Sequence, residues 1–216
     1  MFFDSELQIG FLQFFFNGEK MNYSIFDVDG TILDSMEVWN TLASRYIQGI
    51  GLIPEVNLNQ IVSDMSLEQS AKYLKNHYKI NKSENMIISE VLDLISDFYK
   101  FEVQLMPGFK TFISNYDSVN VIGTSCDEEL VKVALKRLDV LDYFEAVVTC
   151  SKVNKAKDDS DFYLACADIL KQKPENIFVF EDADYCISAA KKAGFKVIKI
   201  KDWRVLNEKY INDCGK

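Results

Sequence analysis

From residue 119 onward the sequence alternates short apolar runs with amphipathic stretches, and this alternation constrains the fold more than any other feature. Buried strands are predicted for four apolar runs, 119–123, 146–149, 177–180 and 196–200. Helices are predicted between them, at 127–138, 160–170 and 184–193. Repeated strand–helix units place their strands in parallel with right-handed crossovers, so the sequence predicts an open α/β sheet.

A further apolar strand at 23–27 is separated from the others by a long helical stretch at 36–104. Apolar residues in that stretch recur at three- and four-residue steps, Ser66 is a candidate N-cap, and Pro107-Gly108 marks its end. The predicted fold class is therefore α/β, a Rossmann-like parallel sheet core with an inserted all-helical cap domain. The predicted bounds are 21–34 and 105–216 for the core and 35–104 for the cap.

Two acidic residues one position apart, Asp27 and Asp29, end the first strand. Alternation along an extended backbone places both on one side. Gly30 can take the positive φ of a sharp exit, and Thr31 adds a hydroxyl and an amide near the same point. Because neighbouring carboxylates repel, the pattern indicates a divalent metal, an acid/base pair, or both.

The bulk composition is that of an ordinary globular protein of 216 residues, 48% hydrophobic and 26% charged. The net charge of −9 argues against a nucleic-acid or anionic-membrane surface, so we expect neither partner. Five cysteines without a CxxC pair indicate reduced thiols and predict a cytoplasmic protein. We expect a small-molecule substrate and a monomer or weak homodimer.

The first 20 residues differ from the rest, with a phenylalanine-rich run too short to span a membrane and no features of a signal peptide. Two hypotheses fit this N-terminal extension. In one, Met21 is the natural start and Gly18-Glu19 is translated ribosome-binding sequence. In the other, Met1 is the start and the extension packs its phenylalanines on the core.

Polar side chains follow each predicted strand, and in a parallel sheet these positions meet at one edge. Asp27 and Asp29 follow the first strand, and Thr124 and Ser125 follow the second. Lysines and acids follow the next two, at Lys155, Lys157, Glu181 and Asp182. Carboxylates, a hydroxyl, a lysine and a helix N-terminus around one point suit Mg²⁺-assisted attack on a phosphate.

In this order, Asp27-Val28-Asp29-Gly30-Thr31, Thr124, Lys157 and Glu181-Asp182 resemble the four motifs of the haloacid dehalogenase (HAD) superfamily. The helical insert resembles the cap of its phosphatase and β-phosphoglucomutase-like branch. The resemblance implies that Asp27 is a nucleophile forming an aspartyl-phosphate.

The same resemblance implies that Asp29 is the general acid and base, its backbone carbonyl also binding Mg²⁺. It implies that Thr124 and Ser125 hold the phosphate and that Lys157 offsets charge. It further implies that Asp182, with Glu181 direct or through water, completes the metal site with Asp27. Gly30, Thr31 and Trp39 are further candidate substrate-binding residues.

Some positions depart from the family pattern. The lysine motif lacks its usual prolines, so Lys155 stays an alternative to Lys157. Trp39 stands where β-phosphoglucomutase has a proton-shuttling histidine, and Leu67 lies near the position of the mutase arginine that grips a second phosphate. These departures favour a plain Mg²⁺-dependent phosphomonoester hydrolase, with a hexose phosphate mutase as the alternative and a non-catalytic phosphate-binding module as a third hypothesis.

Overall fold

The structure, a computed structural model, describes residues 22–63, 65–204 and 206. The N-terminal extension and the choice between Met1 and Met21 lie outside the described residues. Within them the strands form one parallel sheet of five in the order β3-β2-β1-β4-β5. The strands are β1 (Tyr23–Phe26), β2 (Val119–Thr124), β3 (Ala146–Thr149), β4 (Phe178–Glu181) and β5 (Lys196–Lys199).

Strand β1 lies at the centre of the sheet, where Phe26 pairs in register with Ile122 of β2 and Phe180 of β4. Strand β4 is buried along its whole length, as are all but the first residue of β1 and of β2. Parallel strands covered on both faces read as continuous apolar runs, which is how they were recognisable in the sequence. The central position places the end of β1 between the ends of its neighbours.

Helices α5 (Phe109–Ser114), α6 (Glu128–Arg137), α7 (Cys150–Val153), α8 (Ser160–Leu170) and α9 (Asp184–Lys192) belong to the core. Asp127 begins α6 with a side chain that accepts hydrogen bonds from the amides of Glu129 and Leu130. Because α6 follows β2 directly, its first turn lies at the same sheet edge as Asp27.

The insert after β1 contains α1 (Met36–Gly49), α2 (Leu58–Val62), α3 (Leu67–His77), α4 (Glu84–Asp97) and a π-helical turn at Phe98–Glu102. Ser66 is the N-cap of α3, as the sequence predicted. The structure adds a full capping box, because the Ser66 hydroxyl and the Gln69 side chain each accept from the other residue's amide. The insert is helical where described, which fits the predicted cap.

Two adjacent linkers join this cap to the core. The amide of Asp34 donates to the carbonyl of Gln104 (2.9 Å), and the amide of Met106 donates to the carbonyl of Ile32 (2.8 Å). Both linkers therefore leave the core side by side, immediately after the strand that carries Asp27 and Asp29. The cap is attached directly beside the predicted site.

Aromatic side chains fill the core on one face of the sheet. Phe26 stacks on Phe180 with 4.4 Å between ring centroids, and Trp203, which follows β5, packs against both. The Trp203 indole donates to the carbonyl of Thr31 (2.7 Å), so it also fixes the turn after β1. Within the described ranges we find no helix that is long and apolar enough to cross a membrane.

Candidate active site

The turn after β1 lies against the side chain of Asp182, which follows β4. Gly30 has a φ of +87°, which L side chains rarely adopt, and a Cβ there would lie 2.3 Å from an Oδ atom of Asp182. A glycine at this position lets Asp182, which follows β4, approach the chain immediately after Asp29. Side chains from β1 and β4 therefore share one site.

Lys157, and not Lys155, lies beside Asp27. The ammonium of Lys157 donates to Asp27 Oδ1 at 2.6 Å and also to Glu181 Oε1, and all three side chains are buried. Lys155 instead pairs with Asp159 and Asp161 at a partly exposed position, with both Nζ to Oδ distances 2.8 Å.

Both oxygens of Glu181 already accept hydrogen bonds. Oε1 accepts from Lys157 and from the hydroxyl of Tyr163 (3.4 Å), and Oε2 accepts from the amides of Asp182 (2.7 Å) and Ala183 (3.2 Å). Glu181 is therefore less available as a direct metal ligand than Asp27, because its carboxylate already binds Lys157 and the backbone amides after β4. By contrast, Asp27 Oδ2 is buried and has no hydrogen-bond partner.

Asp29 is held by hydroxyl donors from the two ends of the cap. Its Oδ1 accepts from the hydroxyl of Ser35 (2.6 Å) and from the hydroxyl of Tyr99, and Trp39 Nε1 donates to that tyrosine oxygen (2.7 Å). Tyr99 is fully buried in the π-helical turn at the end of the cap. Sequence reasoning missed Tyr99 and Ser35, and π turns inside helices are often found at functional sites.

The other candidate residues are divided between the cavity wall and the core. Thr124, Ser125 and Trp39 line the cavity under the cap, and the Thr124 hydroxyl accepts from the amide of Cys126 (3.0 Å). Gly30 and Thr31 are not among the lining residues. Thr31 is fully buried and its hydroxyl has no partner, so its predicted substrate contact is not seen in this arrangement.

Three carboxyl groups lie close enough to share a metal ion. One carboxylate oxygen from each of Asp27, Glu181 and Asp182 lies within 4.8 Å of the others. Oxygen ligands of this kind are those that Mg²⁺ prefers. The unpartnered Asp27 Oδ2 is the atom that such an ion would satisfy.

Burial controls the ionisation of these groups. Burial, followed by the charge of Glu181, raises the pKa of Asp27 well above its ordinary value and raises the pKa of Asp182 to about 7. Burial also raises the pKa of Asp29, while the Ser35 and Tyr99 hydrogen bonds oppose it. For Lys157, burial works to lower the pKa, but Asp27 and Glu181 outweigh it and raise that pKa, so the lysine is charged.

The site lies at the bottom of a cavity of about 260 Å³ between the core and the cap. Asp27, Asp29, Lys157 and Asp182 line its floor together with other core residues, and side chains of the cap line the opposite side. A parallel sheet, a helical cap inserted after its first strand and a buried acid–lysine cluster under that cap define a Rossmann-like α/β protein with a capped candidate active site.

Comparison with known proteins identifies the family. The model of the haloacid dehalogenase-like hydrolases matches residues 24–200. The fructose-1-phosphate phosphatase YqaB of Escherichia coli is 26% identical over 82% of this chain and 95% of its own length. The β-phosphoglucomutase of Bacillus subtilis is 27% identical over 83% of each chain. The phosphate complex of CbbY from Rhodobacter sphaeroides superposes with a TM-score of 0.72 at 17% identity, covering 82% of this chain and 84% of that one.

The chain belongs to the haloacid dehalogenase-like hydrolase family, in its phosphatase and β-phosphoglucomutase-like branch. Because its named relatives include several phosphatases of this family, it is a phosphatase-type enzyme. The resemblance seen in the four sequence motifs is confirmed at the level of family and fold.

Proposed function

We propose that this protein is a Mg²⁺-dependent phosphomonoester hydrolase that acts on a small phosphorylated metabolite through an aspartyl-phosphate on Asp27. The observation that carries the proposal is the state of Asp27 itself. Its carboxylate is buried at the cavity floor, one oxygen pairs with Lys157, and the other has no partner. A carboxylate arranged in this way has one oxygen anchored and the other free to act as a nucleophile.

The residues present fit a magnesium ion. Asp27 Oδ2 and the carboxylate of Asp182 would hold it together with the backbone carbonyl of Asp29, and Glu181 would contribute through water since its oxygens are already engaged. When bound, Mg²⁺ neutralises charge on the phosphate and the attacking carboxylate. The raised pKa values of Asp27 and Asp182 support this assignment. Burial and the charge of Glu181 raise both values, and a bound cation would favour the ionised form of each acid.

Asp27 attacks phosphorus, and its new bond to phosphorus forms as the bond to the alcohol oxygen breaks. Asp29 gives its proton to that oxygen, for which its raised pKa is suited. Asp29 then takes a proton from the water that hydrolyses the aspartyl-phosphate. Ser35 and Tyr99 hold one oxygen of Asp29, so they fix where that proton is delivered.

Thr124 and Ser125 contact phosphate oxygens in this proposal, because both line the cavity at the end of β2. Lys157 pairs with Asp27 and opposes the rise in its pKa that burial causes, and Glu181 keeps Lys157 in place. Cap closure excludes water before the first step. A hydrogen bond between core and cap supports this step, since the Ser151 hydroxyl donates to Glu68 at 2.8 Å.

The names of the relatives suggest the substrate. They include phosphatases of fructose 1-phosphate, hexitols and phosphorylated carbohydrates. We therefore expect the substrate to be a sugar-like or polyol phosphate. We expect the protein itself to be a cytoplasmic monomer or weak homodimer. A mutase is the second candidate, since a β-phosphoglucomutase is among the relatives. Trp39 at the shuttle position argues against it, because an indole cannot take up a proton near neutral pH.

A phosphate-release screen over sugar phosphates, nucleotides and cofactor phosphates with Mg²⁺ tests the proposal. Release that depends on Mg²⁺ and is lost in Asp27→Asn, with the fold intact by circular dichroism, supports it. An isomerised sugar phosphate as the product would favour the mutase. Undetectable turnover over the whole panel would favour the non-catalytic binding module.

A further inference from the structure

The cap side of the cavity differs sharply from its floor. Among the described lining residues, the cap contributes no ionisable side chain. Its wall is mostly apolar, with Leu42, Val62, Leu67, Leu74, Ile88 and Val91 among its members. A leaving group that lies against this wall meets a hydrocarbon surface.

The few polar groups of the cap wall are neutral. Asn59 is already engaged with Ser44, since its amide nitrogen donates to the Ser44 hydroxyl (2.8 Å) and its oxygen accepts from the Ser44 amide (3.0 Å). Asn40 and Ser70 line the cavity as well. An amide and a hydroxyl can bind a hydroxyl group of a substrate, but they do not neutralise an anion.

Positive charge is confined to the floor. Four carboxyl groups, Asp27, Asp29, Glu181 and Asp182, line the cavity, and Lys157 is the sole cation among its described lining residues. That ammonium already pairs with two of the four. Any Mg²⁺ held there serves the transferred phosphate. A second anionic group on the substrate would face carboxylates and an apolar wall, with no cation to pair with.

From this distribution of charge we infer the substrate class: a phosphomonoester of an uncharged alcohol that carries no second phosphate or carboxylate and presents an apolar face to the cap. The inference deepens the proposed hydrolase function and rests on it. The cavity of about 260 Å³ sets the size. This is just below the roughly 300–1,000 Å³ of typical small-molecule pockets, which suits a phosphate with a small alcohol.

Matched substrate pairs test the charge requirement. Ethyl phosphate and phosphoglycolate differ by a carboxylate, and fructose 1-phosphate and its 1,6-bisphosphate differ by one phosphate. At an effective permittivity near 20, a second anion about 6 Å from an unpaired carboxylate costs roughly a hundredfold in affinity. We expect kcat/KM to be at least tenfold higher for the neutral member of each pair. Equal or higher values for the anionic members would overturn the inference.

A series of alkyl phosphates tests the apolar wall. Ethyl, propyl and butyl alcohols are leaving groups of similar reactivity, so changes in kcat/KM report contacts with the cap. Each buried methylene is worth roughly a fourfold gain. A rise in kcat/KM of about fourfold per methylene, roughly sixteenfold from ethyl to butyl phosphate, supports the inference. A flat or falling series contradicts it.

Leu67→Arg adds the missing cation to the cap wall, and Leu67→Gln is its uncharged control. We expect the arginine variant to raise the ratio of phosphoglycolate to ethyl phosphate turnover by about tenfold or more, with no comparable change in the glutamine variant. An unchanged ratio in the arginine variant, in protein shown to be folded by circular dichroism, would contradict the account.

Binding of non-hydrolysable analogues separates this inference from the proposed chemistry. Ethyl-, propyl- and butylphosphonate are compared with phosphonoacetate by calorimetry on the full chain with Mg²⁺. Tighter binding along the alkyl series and weaker binding of phosphonoacetate support the substrate class even if no ester is hydrolysed. Preferred binding of phosphonoacetate overturns it even if hydrolysis is observed.

Discussion

Replacing Lys157 with Met removes the cation between Asp27 and Glu181. The Lys157 side chain is only 4% exposed, and the two acids are 8% and 1% exposed, so water replaces little of the lost pairing. Breaking a buried ion pair by removing one partner typically costs about 3–5 kcal/mol. A second estimate of the loss in stability agrees. Without Lys157, one of the two buried acids must take up a proton, and protonating an ordinary carboxyl at pH 7 costs about 4 kcal/mol, from roughly three pH units at 1.36 kcal/mol each.

For a chain of this length, 1 kcal/mol shifts the melting temperature by about 2–4 °C, so we expect Lys157→Met to melt about 6–20 °C lower. Lys155→Met is the matched control, since Lys155 pairs only with partly exposed acids, and it should melt within about 3 °C of the wild type. Differential scanning calorimetry at pH 7 with EDTA measures both. Equal losses in the two variants, or a stable Lys157→Met, would refute the reasoning.

Three other changes probe the same site. Gly30→Ala places a Cβ against Asp182 and Met36 at a positive φ, so it should weaken Mg²⁺ binding at least tenfold in calorimetry; unchanged affinity would contradict the close approach. Tyr99→Phe removes a hydrogen-bond donor that favours the ionised form of Asp29, so the pKa of Asp29 should rise. The upper limb of the kcat/KM pH profile should then move to higher pH. If Tyr99 has only a structural role, that limb will stay in place. Because the pKa of Asp182 is raised to about 7, its contribution to stability is present below about pH 4 and is lost as the pH rises through 7. The metal-free protein should therefore lose stability over that range, and Asp182→Asn should reduce the loss. A melting temperature that rises between pH 4 and 7 would contradict the raised pKa of Asp182.

The sheet could be predicted from the sequence because each buried parallel strand is a short, mainly apolar run that ends at a polar residue. The run 146–149 matches β3 residue for residue, and 160–170 matches α8. The helical stripe of the cap was less reliable. Leu94 lies three residues after the buried Val91, a spacing that predicts a shared apolar face, but it is 41% exposed, whereas Ile87 is fully buried. The packing of neighbouring helices determines which apolar residues face inward.

The candidate site could be predicted only where its residues follow strands directly. Asp27, Thr124 and Asp182 do so, and the structure brings them to the same sheet edge. Tyr99 reaches Asp29 across 70 positions of sequence, a contact that no local pattern contains. Trp203 lies beyond the stretch that resembled the family, yet it is fully buried against the turn after β1.

The difference between the two lysines illustrates the same limit. Spacing alone left Lys155 as an alternative to Lys157, because both lie in one polar loop. The nearby acids distinguish the two lysines. Asp159 and Asp161 form ion pairs with Lys155 at a partly exposed position, whereas the Lys157 side chain is buried in the core. Likewise, spacing could not tell which of the adjacent acids Glu181 and Asp182 is already engaged.

The central claim is that Asp27 carries the phosphoryl group and Asp29 moves the protons, and Asp29→Asn tests it most directly. p-Nitrophenyl phosphate has a leaving group that needs no protonation, so the variant should still transfer phosphate to Asp27 but should not hydrolyse the product. With Mg²⁺, we expect a burst of about one nitrophenolate per enzyme and, after acid quench, a phosphoryl adduct on the peptide containing Asp27. Steady turnover without an adduct, or an adduct on a peptide without Asp27, would contradict the account.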